Sequence, residues 1–138
     1  MPYRAKLKVR FGDIDQAGVV YYPRFLHYFH VAMEEFFSAE IGLDYARVLL
    51  DHRFGFPVVH LEADFRRPLR YGDQIDVEVR VVRIGRASVE WRYAVYLGED
   101  PQPVATSRVV TAGIDLDSFE SREVPDWLRA ALARHVEG

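Results

Sequence analysis

One stretch of the chain limits its folds more than any other. From Pro23 onward, Phe25, Leu26, Phe29, Met33, Phe36 and Phe37 recur at helical spacing, with Ala32 filling the same stripe. That period defines one face of an amphipathic helix, and Pro23 suits a helix start, where its missing N–H costs nothing. So broad an aromatic face needs a large flat partner, and a sheet is the natural one. The rest of the chain supplies it. Leu7, Val9 and Phe11 alternate with Lys6, Lys8 and Arg10 before the helix. After it come alternating runs over 59–65, 75–81 and 89–95, then a fifth run from Val104 to Ile114. Period-two alternation predicts strands with one face buried. Gly85-Arg86 marks a tight hairpin between two of them. Gly42 suits a helix C-cap, Asp44 the start of a short helix through Leu50, and 125–132 a closing helix. The order β–α–β–β–β–β lacks further βα alternation. It predicts an α+β fold in which an antiparallel five-stranded sheet wraps a long central helix.

Composition narrows the chemistry. The chain has 138 residues, one domain's worth, and we read 1–138 as a single unit. There is no cysteine, so disulfides, thiolate metal ligands and a cysteine nucleophile are all excluded. That fits a reducing compartment, and the N-terminal segment lacks a signal-peptide apolar block. The expectation is a cytoplasmic protein. A formal charge of −3 disfavours nucleic acid as a partner. No apolar run approaches the ~18 residues of a membrane span, so no membrane insertion is expected. None of the serines at 38, 88, 107, 118 and 121 sits in a G-x-S-x-G elbow, and phosphate-loop and dinucleotide fingerprints are absent.

The most informative segment is Phe11-Gly12-Asp13-Ile14-Asp15-Gln16-Ala17-Gly18-Val19-Val20-Tyr21-Tyr22-Pro23. It sets two acids immediately before a helix, whose first N–H groups are unpaired and carry partial positive charge. Such donors stabilise the oxyanion formed when a carbonyl is attacked, and a facing carboxylate completes a minimal acyl-transfer site. Spacing alone equally allows a solvated loop whose acids cap turns.

Residues 9–37, with the pattern D-x-D-x-x-G-V-V-Y leading into an aromatic helix, resemble the signature of the 4-hydroxybenzoyl-CoA thioesterase-like hotdog family. Phe65-Arg66-Arg67-Pro68-Leu69-Arg70-Tyr71-Gly72-Asp73 and Arg83-Ile84-Gly85-Arg86-Ala87-Ser88 resemble its later connections. The resemblance implies a hotdog fold and hydrolysis of an acyl-CoA thioester to free acid and CoA, with no cofactor and no metal. It makes Asp15 the catalytic carboxylate, as nucleophile or as general base, and Asp13 structural. It makes the Tyr22 N–H the donor to the thioester carbonyl. Gly18 and Tyr21 are then substrate-binding, and Arg86 and Ser88 meet the CoA phosphates. It further implies self-association as a dimer or a dimer of dimers, with sites at the subunit interface. Two positions depart from the pattern: several relatives carry a histidine at Tyr22, and many carry an acid at His30.

Other features compete. His27, His30 and Glu34 share a helical face and suit a metal, or a polar strip. Glu34 and Glu35 stand where another hotdog branch places its carboxylate. Arg66, Arg67 and Arg70 form a basic group suited to phosphate or to solvent. Tyr21, Tyr22 and Phe56 are candidates for lining an acyl pocket. A hotdog dehydratase or hydratase using His30 with Glu34, and a non-catalytic acyl-CoA or acyl-carrier-protein binding module, are the alternative functions.

Overall fold

A computed structural model describes residues 2–136. Strand β1 (Tyr3–Lys8) leads to the long helix α1 (Tyr22–Phe36), followed by the short helix α2 (Tyr45–Leu50) and the two-residue strand β2 (Phe54–Gly55). Then come β3 (Val58–Phe65), β4 (Gln74–Ile84), β5 (Ser88–Leu97), β6 (Ala105–Ala112), β7 (Ile114–Asp115) and helix α3 (Asp126–Ala133). The main sheet is five-stranded and antiparallel, ordered β1-β4-β5-β6-β3. The sheet wraps α1 as the periodicities require.

The stripe residues Phe25, Phe29, Ala32, Met33 and Phe36 are all buried, and Tyr28 joins them. Opposite them lie Val77, Val79, Val81, Trp91, Tyr93 and Val95, every one buried. Phe29 stacks on Tyr93 at 5.4 Å, and Phe36 meets Trp91 edge-on at 6.0 Å. The helix start therefore lies toward Phe65, which Phe25 touches at 5.2 Å, and the helix end toward Trp91.

The structure differs from the periodicity reading at three places. Phe11 was expected inside a strand. β1 stops at Lys8, Phe11–Asp13 forms a single 3-10 turn, and Phe11 is 74% exposed. The alternation continues past the point where the Val9 N–H, bonded to Asp73 O, ends the pairing. The run to Ile114 breaks at Gly113, where an added Cβ would lie 2.4 Å from Arg122 O, and β7 turns away to pair with β2. The long helix closes through a wider turn, Phe37–Ile41, in which the Gly42 N–H bonds Phe37 O. Gly42 then takes φ +80°, as a glycine C-cap does.

Candidate active site

The loop ahead of α1 is a small hairpin of its own. The Asp15 N–H bonds Val19 O at 2.9 Å, the Gly18 N–H bonds Asp15 O at 2.9 Å, and Ile14 bridges Val20. Gly18 adopts φ +82°, a conformation costly for any residue with a Cβ, although the space beside it is open. The need for glycine is thus one of backbone conformation. On the outer side, the Val20 N–H bonds Leu69 O and Val19 bridges Arg70, which anchors the hairpin to the segment after β3.

The two acids have opposite environments. The Asp15 side chain is exposed, and its Oδ1 accepts the Ala17 N–H at 2.8 Å. That bond anchors one carboxylate oxygen, while Oδ2 has no hydrogen-bond partner among the described residues. Asp13 is 9% exposed, and its Oδ2 accepts from the Arg10 N–H at 2.9 Å and from the Tyr28 hydroxyl at 2.8 Å. Its Oδ1 lies 3.8 Å from Arg24 Nε, and its carbonyl accepts the Tyr21 N–H at 2.9 Å. Asp13 ties both ends of the hairpin to the second turn of α1. Burial raises the Tyr28 phenol above its usual range, and the bond to Asp13 adds to the effect. Tyr28 is a residue the sequence reading did not single out.

Tyr21 is the N-cap of α1, with extended backbone and no side-chain capping bond. Tyr22 is the first helical residue and Pro23 the second, one place later than expected. The shift costs nothing, because the N–H at that position has no helical partner either. The Arg24 N–H is taken by Tyr21 O at 2.8 Å. Among the described residues the Tyr22 N–H has no hydrogen-bond acceptor. A free backbone donor thus stands at the positive end of a 15-residue helix, at the exit of the hairpin that holds Asp15.

A narrow apolar cavity of about 60 Å³ lies beside the middle turns of α1, lined by Leu26, Phe29, His30 and Met33 of that helix and by Phe56, Leu61, Trp91 and Tyr93 among others. Leu26 and His30 follow Tyr22 at four-residue steps, so the cavity lies along the helix face that the Tyr22 side chain begins. Phe56 is part of this lining. Tyr21 and Tyr22 are not: they are 50% and 61% exposed, in edge contact with each other. Tyr22 instead borders a shallow depression with Phe65, Arg66 and Pro68.

The basic candidates separate. Arg70 flanks the hairpin through its bridge to Val19. Arg67 is committed to the Asp100 carboxylate and to Gln102 O. Arg86 and Ser88 lie at the opposite end of the sheet: Ser88 pairs with Ala112, whereas Phe65, beside Tyr22, pairs with Ala105. Seven residue steps along β6, from Ala105 to Ala112, separate those pairs, roughly 20 Å. Within one chain the structure does not bring Arg86 to Asp15. Arg86 pairs with Glu123, and its hairpin is clasped by Arg129 of α3, which donates to Gly85 O and Arg86 O.

The histidines of α1 also part company. His30 Nε2 meets Glu34 Oε2 at 3.2 Å beside the apolar cavity, while His27 borders a separate groove with Lys6, Lys8 and Arg10. Among the described residues no group of three His, Cys, Asp or Glu side chains is arranged to hold a metal ion. No described helix is long and apolar enough to cross a membrane.

The chain is similar to several known proteins. The 1,4-dihydroxy-2-naphthoyl-CoA hydrolase of Synechococcus elongatus is 31% identical over 132 residues, covering 92% of this chain and 95% of its own. That of Nostoc punctiforme is 33% identical, covering 100% and 93%. The crystal structure of a 1,4-dihydroxy-2-naphthoyl-CoA thioesterase from Synechocystis superposes with a TM-score of 0.86 at 26% identity, over 96% of both chains. Residues 9–132 match the model of the thioesterase-like superfamily, a span that takes in the hairpin, the helix and every strand after them, and the chain belongs to that family.

Proposed function

We propose that this protein hydrolyses an aromatic acyl-CoA thioester to the free acid and CoA, with Asp15 as the catalytic carboxylate and the Tyr22 N–H as oxyanion donor. The observation that carries this reading is the shared hairpin. One end holds an exposed carboxylate with a single anchored oxygen, and the other delivers an unpaired N–H at a helix start. With the thioester oxygen on Tyr22 N–H, the carbonyl carbon lies open to Asp15, or to a water from which Asp15 takes a proton. The negative charge that develops on oxygen is held by the N–H and the helix end. Collapse of the tetrahedral species breaks the C–S bond and releases CoA thiolate; where Asp15 was the attacking group, water then cleaves the mixed anhydride to the free acid and restores the carboxylate. The flat rings of Phe29, Tyr93 and Trp91 along the cavity favour an aromatic acyl group, as do the substrates named for the relatives.

The site is completed by a second copy of the chain. β3 is an edge strand that leaves Val58, Val59, Leu61 and Phe65 exposed, a poor surface to present to water. Antiparallel pairing of two such edges reverses one sheet against the other. The Arg86 hairpin of one subunit then approaches the Asp15 hairpin of the next, within reach of CoA phosphates that Arg86 and Ser88 would hold. Gly18, with nothing within 4 Å of an added Cβ, leaves the hairpin tip open to the pantetheine arm. The absence of cysteine fits the cytoplasm as the compartment.

The test is thiol release from a panel of aromatic, short-chain and medium-chain acyl-CoAs by wild type and Asp15→Asn. We expect aromatic thioesters to be cleaved fastest, and Asp15→Asn to lose at least about 100-fold in kcat while staying folded. More than a few per cent of wild-type turnover in that variant removes Asp15 from the mechanism.

A further inference from the structure

Tyr93 carries a hydroxyl with nothing to hold. It points inward from β5, is 5% exposed, and its ring lies nearly parallel to Phe29 and to Trp91, at 5.4 and 6.4 Å. Among the described residues its hydroxyl makes no hydrogen bond. That hydroxyl is not sealed from solvent, and it has no protein partner to give up when a ligand arrives. Of the polar groups around it, Trp91 Nε1 donates to Thr111 Oγ1 at 3.0 Å, while the Tyr45 hydroxyl also makes no hydrogen bond among the described residues. Directly across from Tyr93 on β6, the Ser107 hydroxyl is sealed and has no partner.

Tyr93 lines the apolar cavity. Of the cavity's other polar side chains, Thr111 is occupied by Trp91 and His30 is held by Glu34. An unpaired donor in an otherwise apolar wall penalises a ligand that cannot bond to it and rewards one that can. We propose that the Tyr93 hydroxyl is the specificity-determining contact for an oxygen substituent on the aromatic ring of the acyl group. The proposal rests on the reading of this cavity as the acyl pocket. Burial keeps the phenol protonated through the working pH range, with the nearby Tyr45 adding to the effect, so it acts as an O–H that donates to the ring oxygen.

The experiment compares benzoyl-CoA with its 2-, 3- and 4-hydroxy derivatives on wild type and Tyr93→Phe. A second arm measures equilibrium binding of phenacyl-CoA and the hydroxyphenacyl-CoA thioethers, which cannot be hydrolysed. Wild type should prefer one hydroxylated isomer over the parent in kcat/KM and in binding. In Tyr93→Phe that preference should fall about tenfold or more, with no loss of thermal stability, because the variant removes an unsatisfied hydroxyl and keeps the ring. A preference unchanged in the variant, or no preference in wild type, overturns the proposal. Should wild type cleave none of the thioesters, the thioesterase reading fails by itself, and the binding arm still decides the role of Tyr93.

Discussion

Tyr28 and Asp13 meet at 2.8 Å, phenol to carboxylate, where the second turn of α1 crosses the start of the active-site hairpin. That one bond joins the helix whose first N–H is unpaired to the loop that carries Asp15. Tyr28→Phe keeps the packing against Phe25, 6.0 Å away, and deletes only the hydroxyl. A hydrogen bond to a charged group contributes about 2 kcal/mol, so urea unfolding should record a loss of that order. Because Asp15 and the Tyr22 N–H lose their fixed spacing, kcat should fall severalfold more than KM changes. A variant that is less stable but unchanged in kcat would make the clamp purely structural.

The Arg86 hairpin supports a prediction about the nucleotide end of the substrate. Arg86→Ala should raise KM for acyl-CoA roughly 10-fold, the effect of losing one charge-assisted contact. N-acetylcysteamine thioesters, which lack the nucleotide, should be affected much less. Steady-state kinetics on both substrate types decides the matter, and equal losses on the two argue against phosphate contact.

The edge strand β3 predicts the assembly. Val59, 61% exposed, lies on that edge and away from the cavity lining. Val59→Asp places a charge where two edges would meet. Analytical ultracentrifugation should show the wild type as a dimer or larger and the variant shifted toward monomer, with activity falling in step. A wild type that sediments as a monomer at full activity refutes the shared site.

The pH response has a defined sign near Arg67. The Gln102 N–H, then the Arg67 guanidinium, hold the Asp100 carboxyl below its ordinary value of 3.8. A carboxyl depressed in the folded state stabilises that state above its unfolded value, and the contribution vanishes as pH falls through the folded one. Between neutral pH and about pH 3, wild type should therefore lose more stability than Asp100→Asn does. Chemical denaturation at several pH values measures the difference, and parallel curves would exclude a role for Asp100.

Much of this architecture is legible in the sequence because burial imposes periods. Phe25, Phe29, Met33 and Phe36 must share a helix face, and Val77, Val79 and Val81 must share a sheet face. The hairpin is legible as a motif, since its glycine and paired acids have a conformational reason to be there. Alternation fails at Phe11, where pairing ends while the pattern runs on. Nor does it predict Tyr28 or Tyr93. Their significance lies in what their hydroxyls meet or fail to meet across the fold, and a one-dimensional pattern holds no record of that. The distance from Arg86 to Asp15 is likewise a property of strand register, which only the assembled sheet fixes.

The chain has two tryptophans, and their placement has an optical consequence. Trp91 is 1% exposed in the wall of the cavity, while Trp127 sits at the surface over His52, 4.4 Å away. The two indoles should therefore emit at separable wavelengths, and the bluer band should respond when a molecule enters beside Trp91. The fold thus carries an intrinsic fluorescent gauge of occupancy, usable without attaching any dye.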